Sequence, residues 1–480
     1  MNQRPDPLRG ALALALALAV PGCAVGPDYV KPPTVAPSSF KEAPVDAPEW
    51  RVARPADALP RGAWWKIFGD PDLDALEDQL ATANTTIAQA EARYRAARAI
   101  LRQTRADITP TVTASAAATR ARTLTNQAGA PGPVPVTTTT YSALGDASWE
   151  LDVWGRVRRN VESSTAGVAA AANDLESVKL SMQAELAASW FQLHGFDAEI
   201  ALLSTNVDAQ AEALKLTVNR HDQGVVSGVD VAQAETLLET TRAQAIDVAI
   251  SRAQTEHAIA FLVGKAPADL TIPAAKISVA PPAIPGLLPS ELLERRPDVA
   301  AAERRAAAAS ALIGVAVAAY YPTISLDASA GFVSTTLSKL FTAPAFIWSL
   351  GPAALGTLFD GGRRRGVTEQ RRAEYDAAVG AYRETALTAF QELEDQLAAL
   401  RLLALEEKQQ AAAVAASRKL VQLAENRYQG GITTYLEVVT AQTVALSNER
   451  TAVDLRTRRM VASVNLVKAL GGGFDGGASP

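Results

Sequence analysis

The chain has 480 residues, 48% of them hydrophobic and 20% charged, with 30 glycines, 27 prolines and a net charge of −5. That composition supplies a core and excludes collagen-like and wholly disordered chains, and the mild charge balance gives no footprint for nucleic acid. Length alone allows about three domains. The three histidines, His194, His221 and His257, lie far apart in sequence, so a histidine-based metal cage is not expected. The single cysteine, Cys23, excludes an intrachain disulfide and a cysteine-rich zinc site.

Arg4 and Arg9 precede an apolar run from Ala11 to Val20. A basic start followed by a short apolar stretch reads as a secretory signal, too short to span a bilayer. The run ends in Val20-Pro21-Gly22-Cys23, which resembles a bacterial lipobox. Cleavage before Cys23 and acylation of its thiol and new N-terminus would anchor the mature chain in a membrane. Ala24 after the cysteine favours the outer membrane by analogy with lipoprotein sorting. Between Val25 and Pro60, Pro27, Pro32, Pro33, Pro37, Pro44 and Pro48 prevent a helix, so the segment reads as an extended tether. Trp64-Trp65 begins the ordered body.

The body is duplicated. Ala90-Glu91-Ala92-Arg93 matches Ala302-Glu303-Arg304-Arg305, and Pro110-Thr111-Val112-Thr113 matches Pro322-Thr323-Ile324-Ser325. At a slightly shorter offset, Arg220-His221-Asp222-Gln223-Gly224-Val225 matches Arg427-Tyr428-Gln429-Gly430-Gly431-Ile432, and Gly264 matches Gly471. Each copy is expected to run helix, two strands, long helix, turn, helix. The first helices are expected near 72–108 and 290–321, stopped by Pro110 and Pro322.

Period-two alternation marks three strands: Val112, Ala114 and Ala116; Tyr141 through Val153; Ile324 through Ala330. Phe346 to Phe359 is a fourth, less regular candidate, interrupted by Gly351 and Pro352. Runs of about ten residues suit tilted membrane-crossing strands, although a soluble sandwich with one wet face gives the same pattern. Four strands do not close a barrel, and an open edge in lipid costs several kcal/mol per unpaired group, so several chains would have to share one barrel. The long turns Thr119–Thr140 and Gly331–Pro344 would then face outside. Residues 157–220 and 367–429 lack proline and are rich in Ala, Leu, Glu, Gln and Arg. As helices of some sixty residues they would reach about 90 Å. A soluble coiled coil shares that feature but lacks the strands.

Arg156, Arg158 and Arg159, and Arg363, Arg364 and Arg365, follow the strands in both copies. They are candidates for a barrel rim near anionic headgroups. Gly224-Val225-Val226-Ser227 and Gly431-Ile432-Thr433-Thr434 break the long helices, with glycine permitting the turn and Ser227 or Thr434 capping the next helix. Asp230 and Glu437, three residues on, suit the positive end of a helix. Gly471, Gly473 and Gly476 follow a helix without a preceding strand, so they are not a phosphate site. No catalytic constellation assembles, so no enzyme is expected.

Together these stretches resemble the TolC-like outer-membrane efflux family, in its lipid-anchored NodT-type branch. The resemblance rests on Cys23-Ala24-Val25-Gly26-Pro27-Asp28-Tyr29, on Trp149-Glu150-Leu151-Asp152-Val153-Trp154-Gly155-Arg156 and on Arg295-Arg296-Pro297-Asp298-Val299. It rests equally on Leu358-Phe359-Asp360-Gly361-Gly362-Arg363 and Asn426-Arg427-Tyr428-Gln429-Gly430-Gly431-Ile432. It implies a mixed α and β fold, mainly α and internally duplicated. Three chains would share a twelve-stranded transmembrane barrel that continues into a long periplasmic α-helical barrel. The implied layout is a signal peptide at 1–22, an acylated tether at 23–63 and a first efflux repeat at 64–270 with strands near 109–120 and 141–153. A second repeat follows at 271–471, with strands near 323–332 and 346–359, and then a glycine-rich tail at 472–480.

The resemblance further implies a homotrimeric exit duct in the outer membrane, passing small toxic compounds or drugs. Its partners would be a periplasmic adaptor and an inner-membrane transporter of the RND type. The same fold also serves type I protein secretion, which stays open as the alternative. No cofactor is implied beyond diacylglycerol and N-acyl lipid at Cys23. Gly224, Ser227, Gly431 and Thr434 would form the periplasmic tips that dock the adaptor, with Asp230 and Glu437 as a ring of entrance carboxylates. Some relatives lock that entrance with an arginine and a second aspartate, where this chain has Thr433 and Thr440.

Overall fold

The computed structural model describes residues 24–33, 40–42, 62–126, 132–275 and 295–472. The signal segment, Cys23, most of the tether and the tail with Gly473 and Gly476 lie outside the described residues. The chain forms two compact units. Of the described residues, one holds those within 24–33, 94–171 and 302–382; the other holds those within 40–93, 172–301 and 383–472.

In chain order the main elements are α1 (Pro71–Ala83), α2 (Thr85–Ala106), β1 (Thr111–Thr125), β2 (Val134–Glu150), α3 (Arg156–Asp222) and α4 (Gly228–Leu262). The second copy supplies α5 (Pro297–Ala318), β3 (Thr323–Ser334), β4 (Phe346–Leu355), α6 (Arg363–Gln429) and α7 (Tyr435–Ala469). Each copy therefore has a helix of 67 residues followed by one of 35. Among the described residues, no helix is long and apolar enough to cross a membrane.

The first helix is expected to be continuous and is instead two. Asn84 takes an extended backbone, its Oδ1 accepts from the Ile87 amide at 2.9 Å, and its Nδ2 donates to the Leu262 carbonyl at 2.7 Å. One buried side chain thus starts α2 and satisfies the last turn of α4.

The sheet unit is an antiparallel meander in the order β1-β2-β3-β4. Partners opposite one another share a face. One face carries the rungs Val112–Ala147–Ala328–Leu350, Ala114–Gly145–Ala330–Trp348 and Ala116–Ala143–Phe332–Phe346. The other carries Thr111–Ser148–Asp327 and Thr113–Asp146–Ser329–Ser349, with Ser148 donating to Asp327 at 2.6 Å. On the apolar face Trp348 is 72% exposed and Val112 74% exposed. Large apolar side chains in such a row mark contact with lipid or with another protein.

The first hairpin is longer than expected. β1 and β2 remain paired out to Thr125–Val134, so most of the segment read as the turn Thr119–Thr140 is strand. On β2 the face alternation is lost in the run Thr137–Thr140, and only the β-branched preference of threonine for strands carries the signal there. β2 ends at Glu150 rather than Val153 because Asp152 turns the chain with φ +45. β4 likewise stops at Leu355, short of Phe359.

The helical unit is built on the residues just before α1. Trp64 and Phe68 are buried, and Phe68 packs on Phe191 with ring centres 5.0 Å apart. Asp70 caps α1 through the amides of Asp72 and Leu73 and accepts the Trp190 indole N–H at 2.9 Å. Gly195 permits a close helix contact, since a Cβ there would lie 2.3 Å from Thr457 Oγ1. Arg296 is buried and binds Asp298 through two bonds, Glu392 at 2.6 Å and the Ala469 carbonyl at 3.3 Å. The Arg-Pro-Asp stretch is thus the clamp joining the start of α5, α6 and the end of α7.

Glu77 is fully buried on α1, and neither carboxyl oxygen has a hydrogen-bond partner among the described residues. Burial, then the nearby Asp74 and Asp78, push its pKa up to about 9. The folded state therefore holds a proton at neutral pH that the unfolded chain releases above its ordinary value of 4.5. Stability from this group is complete below that value and is lost as pH rises toward 9. Glu77→Gln is expected to flatten the pH dependence across this window and raise the denaturation midpoint at pH 8, as read by guanidinium unfolding of the purified protein.

Candidate functional site

The two helix turns lie at the same end of the helical unit. The Arg220 guanidinium stands over the Tyr428 ring at 5.1 Å, and Tyr428 packs on Tyr435 with ring centres 5.1 Å apart. Tyr435, Val438, Ala424 and Ala234 form the buried cluster behind the turns. Burial pushes the Tyr435 phenol up to about 12.

Both turns close in the same way. Gly224 has φ +73 and Gly431 φ +70. The amides of Gly224 and Val225 donate to the carbonyls of His221 and Arg220, and those of Gly431 and Ile432 to Tyr428 and Arg427. This is the left-handed glycine cap of a helix C-terminus, where a side chain at the glycine position would be strained. Val225 and Ile432, the residues after the glycines, are 60% and 72% exposed.

The side chains then diverge. Ser227 and Asp230 form a reciprocal capping box at the start of α4, with Ser227 N donating to Asp230 Oδ2 at 3.1 Å. Thr434 has nearly the same backbone angles as Ser227 but makes no side-chain cap bond, contrary to expectation. The reciprocal half of the box is absent too, because the longer Glu437 side chain binds Arg427 at 2.7 Å and the Thr433 hydroxyl. Arg427 is the sequence counterpart of Arg220, so one repeat position serves ring stacking in one copy and carboxylate pairing in the other. Thr440 bonds the Leu436 carbonyl of its own helix.

Asp230 and Glu437 are thus both at the turns, one held in a cap and one in an ion pair. Sequence reasoning missed the Arg427 partner; its position ten residues before Glu437, across a tight turn, was the available signal. Behind the turns a groove of about 990 Å³ runs between α4 and α7, lined by Thr236, Thr240, Thr443 and Ser447 and ending near Arg450 and Asp454. Arg450 is tied to Glu199 at 2.7 Å.

In the sheet unit the candidate rim arginines are largely paired within the chain. Arg156 makes two bonds to Glu150, Arg158 pairs with Asp152, and Arg159 with Asp28 and Glu162. Arg364 pairs with Asp360, holding that carboxyl below the usual carboxylate range, and Arg365 pairs with Glu369. Arg363 is exposed and makes no ion pair among the described residues. These pairs fix the strand-to-helix junctions. The N-terminal stretch is pinned from this junction onto α5: Val25 donates to the Trp154 carbonyl, and the Tyr29 hydroxyl donates to Glu303 of α5 at 2.6 Å. Cys23 itself lies outside the described residues. Among the described residues no group of three or more His, Cys, Asp or Glu is placed to hold a metal.

The chain thus combines a two-faced four-stranded meander with two pairs of long helices. The model of the outer membrane efflux protein family matches residues 76–265 and 288–472, and the chain belongs to that family. Outer membrane protein OprJ of Pseudomonas aeruginosa is 32% identical over 476 residues, with 98% of each chain covered. The toluene efflux pump outer membrane protein TtgC of Pseudomonas putida is 32% identical, covering 97% of this chain and 96% of that one. The solved outer-membrane channel OprN is similar with a TM-score of 0.84 at 33% identity, covering 94% of this chain and 99% of that one. The protein is an outer-membrane efflux channel component.

The two caps differ in a way that unfolding measurements can read. Ser227→Ala is expected to cost about 1 kcal/mol, whereas Thr434→Ala, which removes no cap bond, should change stability by no more than about 0.5 kcal/mol. Guanidinium midpoints of the two single variants check this.

Proposed function

We propose that three copies assemble into the exit duct of a tripartite efflux system, passing small toxic compounds or drugs out of the cell. The observation that carries this reading is the sheet: one face apolar and exposed, one face polar, and both outer strands with one edge unpaired among the described residues. In lipid such edges must be satisfied, and twelve strands from three chains close a barrel with a wet interior. The long helices, free of proline, would line the periplasmic part of the duct. Lipid on Cys23, as diacylglycerol and N-acyl chains, would add an anchor to the barrel.

The partners are a periplasmic adaptor and an inner-membrane transporter of the RND type, which supplies the energy. The exposed Val225 and Ile432 beside Gly224, Ser227, Gly431 and Thr434 suit docking by an adaptor. The toluene pump relative supports small apolar cargo. The duct itself carries out no reaction in this reading.

Photoreactive groups at Ser227 or Thr434 in native membranes, followed by mass spectrometry, test the assignment. Capture of an adaptor together with a proton-driven transporter is the expected result. An ATP-driven exporter would move the role to protein secretion, and no adaptor at all would overturn the tip assignment. Trimerisation would also gather six carboxylates at the entrance. Asp230→Ala with Glu437→Ala is expected to lower cation selectivity in single-channel recordings, and Arg427→Ala, which unmasks Glu437, to raise it.

A further inference from the structure

Opposite the helix junctions, the hairpin ends of the sheet carry an unbalanced charge. No Asp or Glu occurs between residues 108 and 145 or between 328 and 359, although the whole chain is net negative. The cations there are Arg120, Arg122 and Lys339, all exposed. Arg120 and Arg122 make no ion pair among the described residues, unlike Arg156, Arg158 and Arg159 at the other end of the strands.

Register decides which way the two arginines face. Arg120 pairs with Thr139 and Arg122 with Thr137, in phase with Ala118–Tyr141 and Ala116–Ala143–Phe332. They therefore continue the apolar face, not the face of Asp146 and Asp327. From the Ile324 rung to the Ser334–Tyr141 rung that face runs ten residues, about 26 Å for a strand tilted as in outer-membrane barrels. That equals the usual apolar band, and Phe332, Phe341 and Phe346 cluster near its hairpin end. Arg120 stands about 5 Å and Arg122 about 10 Å beyond the Tyr141 rung, the depth of lipid headgroups.

We propose that Arg120 and Arg122 bind the phosphates of outer-leaflet lipid, in particular phosphorylated glycolipid of the lipid A class. This rests on the reading of the sheet as part of a shared barrel with its hairpins outward. Guanidinium pairs match phosphate through paired, charge-assisted hydrogen bonds, and no carboxylate on this face competes. On an edge strand that begins each chain's share of the barrel, the pair recurs once per subunit and tethers the lipid collar to the outer rim.

The test uses the full-length protein in neutral phosphatidylcholine nanodiscs. Native mass spectrometry measures binding of bisphosphorylated lipid A and of its dephosphorylated form. The double variant Arg120→Gln/Arg122→Gln should weaken binding of the bisphosphorylated form about thirtyfold, with the dephosphorylated form bound equally weakly by both proteins. Arg120→Lys/Arg122→Lys should restore part of it. Adding Thr119→Arg and Ala121→Arg to the glutamine pair moves the same charge to the polar face and should not restore it. Unchanged lipid A binding in the glutamine variant, or rescue by the relocated charges, overturns the proposal. Heat-resistant trimers and ion conduction are recorded for every protein. If these are intact while lipid binding is insensitive, only this inference fails; if the parent protein forms neither, the barrel reading fails and this proposal with it.

Discussion

An antiparallel sheet with one apolar face and two unpaired edges does not persist in isolation. Unpaired backbone groups and a row of exposed Trp348, Leu350 and Val112 side chains both need a partner. Among the described residues β1 pairs only with β2 and β4 only with β3, so each keeps one edge that needs a further partner. The rest follows from it. The strand-to-helix junctions are tied by Arg156–Glu150, Arg158–Asp152 and Arg364–Asp360, which hold each long helix at a defined exit from the sheet. The N-terminal stretch adds Asp28 to that junction and ties Tyr29 to α5.

Duplication explains how one chain builds two nearly equal hairpins. The paired lengths of the long and short helices and the matching glycine turns show that backbone geometry was kept. Side-chain chemistry was free to drift. One extra methylene separates Glu437 from Asp230, and it exchanges a helix cap for an ion pair with Arg427. The two turns thus present the same shape with differently paired charge: a capping carboxylate, with Arg220 stacked on Tyr428, in one and an arginine–glutamate pair in the other. A partner that grips shape meets two equivalent turns; an ion meets two different ones.

The helical unit contains its own conflict. Asp70, Asn84 and Arg296 each satisfy several backbone or side-chain groups at helix ends, and such shared caps are what a bundle of long helices needs. Glu77 does the opposite, burying a carboxyl with no hydrogen-bond partner among the described residues. Its cost is limited because the group stays protonated, a solution available to a carboxylic acid and not to a permanently charged side chain.

Periodicity and punctuation by themselves determined most of the architecture. The duplication, the glycine turns at Gly224 and Gly431, the proline-free helices and the two-faced strands are local or repeating features, and each is written in residues close together along the chain. What they left undecided depends on contacts between distant residues. The break at Asn84 is invisible in a helical pattern because its reason is the Leu262 carbonyl, far along the sequence. The extension of β1 and β2 through a run of threonines, which have no preferred face, is set by pairing and not by alternation. Thr434 looks like half of a capping box, but its hydroxyl makes no cap bond and the Glu437 carboxylate pairs with Arg427 across the turn. Which face Arg120 and Arg122 occupy, where they make no ion pair among the described residues, is likewise a matter of register, because a shift of one residue would carry them from the apolar to the polar face.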